Sequence, residues 1–168
     1  MEPTSRKYLF FDLDGTLTDS MPGIARAVQY ALRRFGIDVQ DLAALKPFLG
    51  PPLRDSFMEF YGMSPEEADR AVAVSREYFV PRGMFENELY PGIPELLAAT
   101  AAAGRVNVIA TSKPQPFAER IAAHFGIDRH FRLISGSTFD GRRKTKADVI
   151  RHALSALGIA PGEAVMIG

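Results

Sequence analysis

The sequence predicts an α/β protein: a parallel sheet flanked by helices and interrupted by an all-helical insertion. Three observations predict it. The apolar run Tyr8-Leu9-Phe10-Phe11 stops at Asp12-Leu13-Asp14-Gly15-Thr16, which reads as a buried strand emerging into a turn. From about residue 90 onward, short apolar runs alternate with helical patterns, and such alternation argues parallel strands joined by right-handed crossovers. Between these regions the spacing of apolar residues is helical throughout, with no strand pattern. The expected organisation is a discontinuous core, residues 1–19 and 84–168, carrying a helical domain at residues 20–83.

Taken in order, residues 6–19 supply the first strand and its turn. Ile24, Val28, Ala31, Leu32 and Phe35 then recur at helical spacing until Gly36, a C-terminal stop. A second short apolar stretch, Leu42 to Leu49, ends at Gly50-Pro51-Pro52, and Leu53, Phe57, Phe60 and Tyr61 mark another helix face. Ser64-Pro65-Glu66-Glu67 combines an N-cap serine, a first-turn proline and a capping-box glutamate, so a helix should start there and run to about Phe79. Four helices with no strand between them read as one small bundle. In the second half the pattern predicts helices at 94–103, 115–125 and 145–157 and strands at 106–110, 131–135 and 164–167.

With 168 residues, 46% of them hydrophobic, the chain can bury one core and support a small second module. Twenty basic and twenty acidic residues cancel, which argues against a partner recruited by charge, nucleic acid above all. The absence of cysteine excludes disulfides and is compatible with the cytoplasm. Neither a charged-then-apolar leader nor an apolar span of membrane length is present, so the expectation is a soluble, cytoplasmic protein with no membrane partner. His124, His130 and His152 stand singly, without metal spacing, and read as surface or structural residues.

The chemistry concentrates at Asp12 and Asp14. Side-chain alternation would face both the same way and Leu13 the other. Two carboxylates on one face repel and are costly to desolvate unless a cation lies between them, and a hard, oxygen-liganded ion such as Mg²⁺ meets that need. An Asp-Gly turn alone needs no catalytic explanation, but the whole run Asp-x-Asp-Gly-Thr-Leu after a strand exceeds what a turn requires. The segment Phe11-Asp-Leu-Asp-Gly-Thr-Leu17 resembles the first motif of the haloacid dehalogenase (HAD) superfamily of phosphohydrolases. With Asp14 followed by Gly15, it resembles the phosphatase and phosphomutase branch.

That resemblance implies a Rossmann-like parallel-sheet core with an α-helical cap inserted after the first motif. A second constellation, Val106-Asn-Val-Ile-Ala-Thr-Ser-Lys-Pro114, ends a strand in hydroxyls just before a helix. Free N–H groups and hydroxyls there suit an anion, although Thr111 and Ser112 would serve equally as ordinary N-caps. The segment resembles the family's second motif, which implies Thr111 as the phosphate-binding hydroxyl. The basic run Arg142-Arg143-Lys144-Thr145-Lys146 opens the last helix; basic side chains there run against the helix dipole and suggest an anionic partner. It resembles the third motif, whose lysine is Lys146, with Lys144 as the alternative. Gly50-Pro51-Pro52-Leu53-Arg54 is the cap loop expected over the site, where Arg54 is either a substrate ligand or an exposed helix-start arginine.

The resemblance further implies that Asp12 attacks phosphorus to give an aspartyl-phosphate, that Asp14 serves as general acid and base, and that Asp12 and the backbone carbonyl of Asp14 hold Mg²⁺. Ala164-Val-Met-Ile-Gly168 reads as a strand which in the family runs straight into an aspartate and often a second acid. The sequence ends before that motif, leaving the sheet C-terminally incomplete. The expectation is thus a segment of a longer chain that alone would bind Mg²⁺ weakly.

Phe48-Leu-Gly-Pro-Pro-Leu53, Glu86-Asn-Glu-Leu-Tyr-Pro-Gly-Ile-Pro-Glu-Leu-Leu97, Ala110-Thr-Ser-Lys-Pro114 and Thr145-Lys-Ala-Asp-Val-Ile150 resemble the phosphoglycolate phosphatase group, and within it bacterial HAD-like 5′-nucleotidases. The implied activity is Mg²⁺-dependent hydrolysis of a small phosphate ester such as phosphoglycolate or a nucleoside 5′-monophosphate. The alternatives are a sugar phosphomutase with the same core, or a catalytically impaired relative that only binds phosphate or a partner.

Overall fold

A computed structural model describes residues 6–168. In chain order, β1 (Tyr8–Phe11) and β2 (Thr18–Asp19) precede α1 (Met21–Arg34), α2 (Leu53–Tyr61) and α3 (Pro65–Phe79). There follow β3 (Glu88–Leu89), α4 (Ile93–Ala102), β4 (Val106–Pro114), α5 (Gln115–His124), β5 (Phe131–Ser137), α6 (Lys146–Leu157) and β6 (Ala164–Ile167). The chain divides into two units, one comprising the residues up to Thr18 with Leu89–Gly168, the other Asp19–Glu88.

The first unit is built on a four-stranded sheet in the order β5-β4-β1-β6, with every pairing parallel. Parallel strands are covered on both faces and therefore read as continuous apolar runs, which is why Tyr8–Phe11 carries no polar face. Register sets Phe10 beside Val108 on one side and Met166 on the other. Phe10, Val108 and Ala110 form one buried face against Ala153, with Ile150, Leu154 and Leu157 of α6 packed around them. Phe10 is 1% exposed, and burial of this kind is worth about 1.5–3 kcal/mol per large side chain. On the other face Phe11 meets Phe131 edge-on at 6.2 Å. Asn107, buried in β4, is satisfied there by α4: its amide donates to the carbonyl of Leu97, and its oxygen accepts from the Thr100 hydroxyl.

β1 lies between strands that follow it in opposite directions across the sheet, β4 on one side and β6 on the other. The carboxyl end of such a strand is where open α/β sheets place ligands. The sequence expectations for this half hold, with β4 and β5 each extending beyond residues 110 and 135 to Pro114 and Ser137.

In the second unit, α1, α2 and α3 and the turn Leu42–Phe48 surround Val28, Leu32, Leu45, Phe48 and Phe57. Phe48 packs edge-on against Phe57 at 5.1 Å. Ser64 caps α3 in a capping box with Glu67, as its sequence predicts. The segment Leu42–Phe48 is a 3₁₀ rather than an α-helix. Asp41 caps it and Pro47 sits inside it, and a proline removes one donor and clashes with the preceding turn of an α-helix. The two-residue strands β2 and β3 pair with each other; runs so short carry no periodicity and escape sequence reading. No described helix is long and apolar enough to cross a membrane.

Candidate active site

The site residues are set by the loop that leaves β1. Asp12 donates its backbone N–H to the carbonyl of Ile167 at 2.9 Å, the last rung of the β1–β6 ladder. The N–H groups of Leu17 and Thr18 then converge on the carbonyl of Leu13, at 2.9 and 3.0 Å. Leu13 and Leu17 are fully buried and pin the loop from below. Gly15, at φ 77°, takes the left-handed turn that brings its N–H to the carbonyl of Thr18. Asp12 and Asp14 thus belong to a tight loop, not to the strand, which ends at Phe11. Their placement follows from this turn and not from the strand alternation the sequence suggested.

Each carboxylate has its own lysine. Lys146 brings its ammonium to 2.5 Å from Asp12 Oδ2 and also donates to the carbonyl of Ala110 at 3.3 Å. Asp12 Oδ1 accepts from the N–H of Leu13 at 2.8 Å. Lys113 brings its ammonium to 3.1 Å from Asp14 Oδ2, with its side chain 5% exposed. Asp14 Oδ1 is buried without a hydrogen-bond partner among the described residues. An ammonium therefore stands beside each of the two carboxyl groups and offsets part of the repulsion between them.

Lys146 is where it is because α6 starts there. Thr145 is the N-cap, its hydroxyl accepting from the N–H of Asp148 at 3.2 Å, and Asp148 accepts in return from the N–H of Thr145 at 2.8 Å. The Asp148 carboxyl lies well below its ordinary range, held down first by the Thr145 N–H, then by the Thr145 hydroxyl and Arg151. The cap makes Lys146 the first residue of the helix, and Asp12 is the anion that offsets a basic side chain at the positive end of the dipole. Lys144 is exposed, its backbone N–H donating to Asp148.

Thr111 and Ser112 do not cap α5. The N-cap is Pro114 and lacks a side-chain cap bond, because β4 continues past both hydroxyls. Between Ala110, beside Ser135, and Pro114, beside Ser137, β4 carries two more residues than β5. Such a bulge re-aims side chains at the edge of a site. Thr111 is 1% exposed, its hydroxyl accepting from the N–H of Lys113 at 3.2 Å, while Ser112 is exposed. Gly136 permits the bulge: a Cβ there would lie 2.7 Å from the carbonyl oxygen of Lys113 and from the backbone of Gln115.

Lys113 is the site residue that sequence reading missed. Its signal was a charged side chain set in a strand otherwise uncharged. In the helical unit, Gly50 adopts φ 106° and Arg54 pairs with Asp69 at 2.7 Å. Of the histidines, His152 hydrogen-bonds Ser135 at 3.0 Å.

Asp12 and Asp14 offer hard oxygen donors of the kind Mg²⁺ prefers, although no group of three or more His, Cys, Asp or Glu able to hold a metal occurs among the described residues.

The model of the haloacid dehalogenase-like hydrolases matches residues 7–168. A 5′-nucleotidase from Pseudomonas aeruginosa is 51% identical over 160 residues, covering 95% of this chain and 72% of the relative. Tyrosine-protein kinase PtkA of Mycobacterium tuberculosis is 40% identical over 164 residues, 98% of this chain but 56% of that protein. The chain thus spans little more than half the length of one relative and about three-quarters of the other. A crystal structure of a predicted phosphatase from Clostridium acetobutylicum superposes with a TM-score of 0.92 at 48% identity, covering 96% of this chain and 75% of that one.

Proposed function

The chain belongs to the haloacid dehalogenase-like hydrolases, and on that premise we propose that it acts as a phosphomonoesterase, with Asp12 as its nucleophile. The observation that carries this reading is the Asp12 carboxylate, held by the Lys146 ammonium at 2.5 Å and the Leu13 N–H at 2.8 Å at the carboxyl end of a central strand. A carboxylate needs no deprotonation at neutral pH, which suits it to attack phosphorus.

In the first step an Asp12 oxygen bonds to phosphorus as the ester P–O bond breaks, and Asp14, which must enter this step carrying a proton, gives that proton to the departing oxygen. In the second, water attacks the phosphorus of the aspartyl-phosphate and passes a proton to Asp14, freeing phosphate and regenerating the Asp12 carboxylate. Lys146 offsets the charge that gathers as the dianion meets the nucleophile. Thr111, buried beside Ala110, is the hydroxyl proposed to hold a phosphoryl oxygen, with the exposed Ser112 beside it. Asp12 and the Asp14 carbonyl would hold Mg²⁺, which when bound supplies further charge neutralisation at the phosphoryl group.

The proposed substrate is a small phosphometabolite of the phosphoglycolate or nucleoside 5′-monophosphate type; the latter class is the one named for the Pseudomonas relative. Gly50 and Arg54 of the helical unit are proposed as substrate residues, a role that requires Arg54 to exchange Asp69 for substrate. The test is phosphate release from a panel of such esters by the protein and its Asp12→Asn variant. The reading requires release by the first and none above background by the second.

A further inference from the structure

Lys113 has no assigned part in the reaction above, yet it is the most deeply buried cation of the site. Its side chain is 5% exposed and its ammonium lies 3.1 Å from Asp14 Oδ2. A lysine is held in such a place only when a charge partner offsets its desolvation. The fold goes to some length to put it there. Two extra residues in β4 swing the chain out between Ala110 and Pro114, and Gly136 leaves the space that the bulged backbone fills.

The contact also distinguishes the two oxygens of Asp14. Oδ2 is engaged by the ammonium, whereas Oδ1 is buried and lacks a partner among the described residues. A buried carboxylate oxygen without a partner is costly, and a site retains such a cost where that atom exchanges a proton with an incoming group. We propose that Lys113 is a positioning residue for Asp14: it fixes Oδ2 and so commits Oδ1 to give a proton to the leaving oxygen and later to take one from water. Lys146 and Lys113 then divide the labour, one serving the nucleophile and the other the acid–base group. This inference rests on the phosphomonoesterase reading, with Asp14 in the role given above.

The distinguishing readout is leaving-group dependence. A general acid matters for a poor leaving group and hardly at all for a good one, whereas a phosphate-binding or purely structural lysine serves all esters equally. The probes are an alkyl phosphate, p-nitrophenyl phosphate and dinitrophenyl phosphate, with kcat/KM measured because it reports on the step in which the P–O bond breaks.

Lys113→Met is expected to lower kcat/KM on the alkyl ester about 100-fold, within the range general acid catalysis supplies, and on dinitrophenyl phosphate by no more than about 3-fold. Asp14→Asn should show the same pattern, and the double variant should be no worse than Asp14→Asn alone. Lys113→Arg, which keeps the charge, should recover most of the loss; it and Lys113→Gln carry the test if the methionine variant does not fold. Equal losses on all three esters, or losses that multiply in the double variant, would overturn the inference. Asp12→Asn is measured alongside. Turnover by that variant would sink the parent reading, whereas an inactive Asp12→Asn with a flat Lys113→Met profile would sink only the role given to Lys113.

Discussion

The ammonium of Lys146 lies 2.5 Å from the carboxylate of Asp12, so the first residue of α6 meets the first residue beyond β1. This contact brings the carboxylate proposed as nucleophile and a cation together from distant parts of the sequence. Its two members are set by independent local devices, a glycine turn after β1 and a threonine cap before α6. Either device can fail without the other, which makes the pair a sensitive gauge of the site.

Lys146→Met should therefore lower kcat/KM by about 100- to 1000-fold, the usual cost of losing one preorganised charge-stabilising group. The loss should be alike for good and poor leaving groups, because this lysine is proposed to serve the phosphoryl oxygens and the nucleophile. Steady-state kinetics on the same three esters checks it.

Gly136→Ala is expected to impair both folding and turnover. The added Cβ would lie 2.7 Å from backbone atoms of Gln115 and Lys113, none of them the yielding end of a flexible side chain. Overpacking of this kind costs about 1–3 kcal/mol, and relief of the strain moves the β4 bulge that carries Lys113. Denaturant unfolding gives the first effect, and kcat/KM on an alkyl phosphate gives the second.

Gly23→Ala tests the helical unit by itself. Alanine is favoured over glycine inside a helix by about 1 kcal/mol, but here its Cβ would lie 1.8 Å from the carbonyl oxygen of Gly83. The clash wins, and the variant should unfold at lower denaturant concentration than the parent. Equal or greater stability would show that α1 and the Gly83 turn are not packed this closely.

His152 gives a pH dependence of stability. Burial first, and the nearby Arg143 second, hold its imidazole below the ordinary value of 6.5. The unfolded chain then takes up a proton before the folded one does. The His152 contribution is fully present above pH 6.5 and is lost as pH falls through the lowered folded value. Thermal melts at stepped pH should show a fall in Tm below 6.5 that is shallower in His152→Gln.

Much of this was legible in the sequence for local reasons. The strand Tyr8–Phe11 announces itself as an apolar run cut off by Asp12, and the start of α3 by Ser64 and Glu67, because burial and capping leave their marks within a few residues. What was not legible depends on chain segments meeting. The bulge of β4 exists only relative to β5, so Thr111 and Ser112 looked like helix caps, and the pairing of Lys113 with Asp14 had no local signature. The resemblance named Lys146 with Lys144 as the alternative; the Thr145 cap brings the former to Asp12. The 3₁₀ turn at Leu42–Phe48 had the apolar content of an α-helix, and only Pro47 hinted otherwise.

The most direct test of the account is to quench the protein with acid during turnover, reduce acyl-phosphates with borohydride, and map the modified peptide by mass spectrometry. The account predicts a single modified site at Asp12, absent from Asp12→Asn. Turnover with modification at another residue, or with none at all, would contradict it.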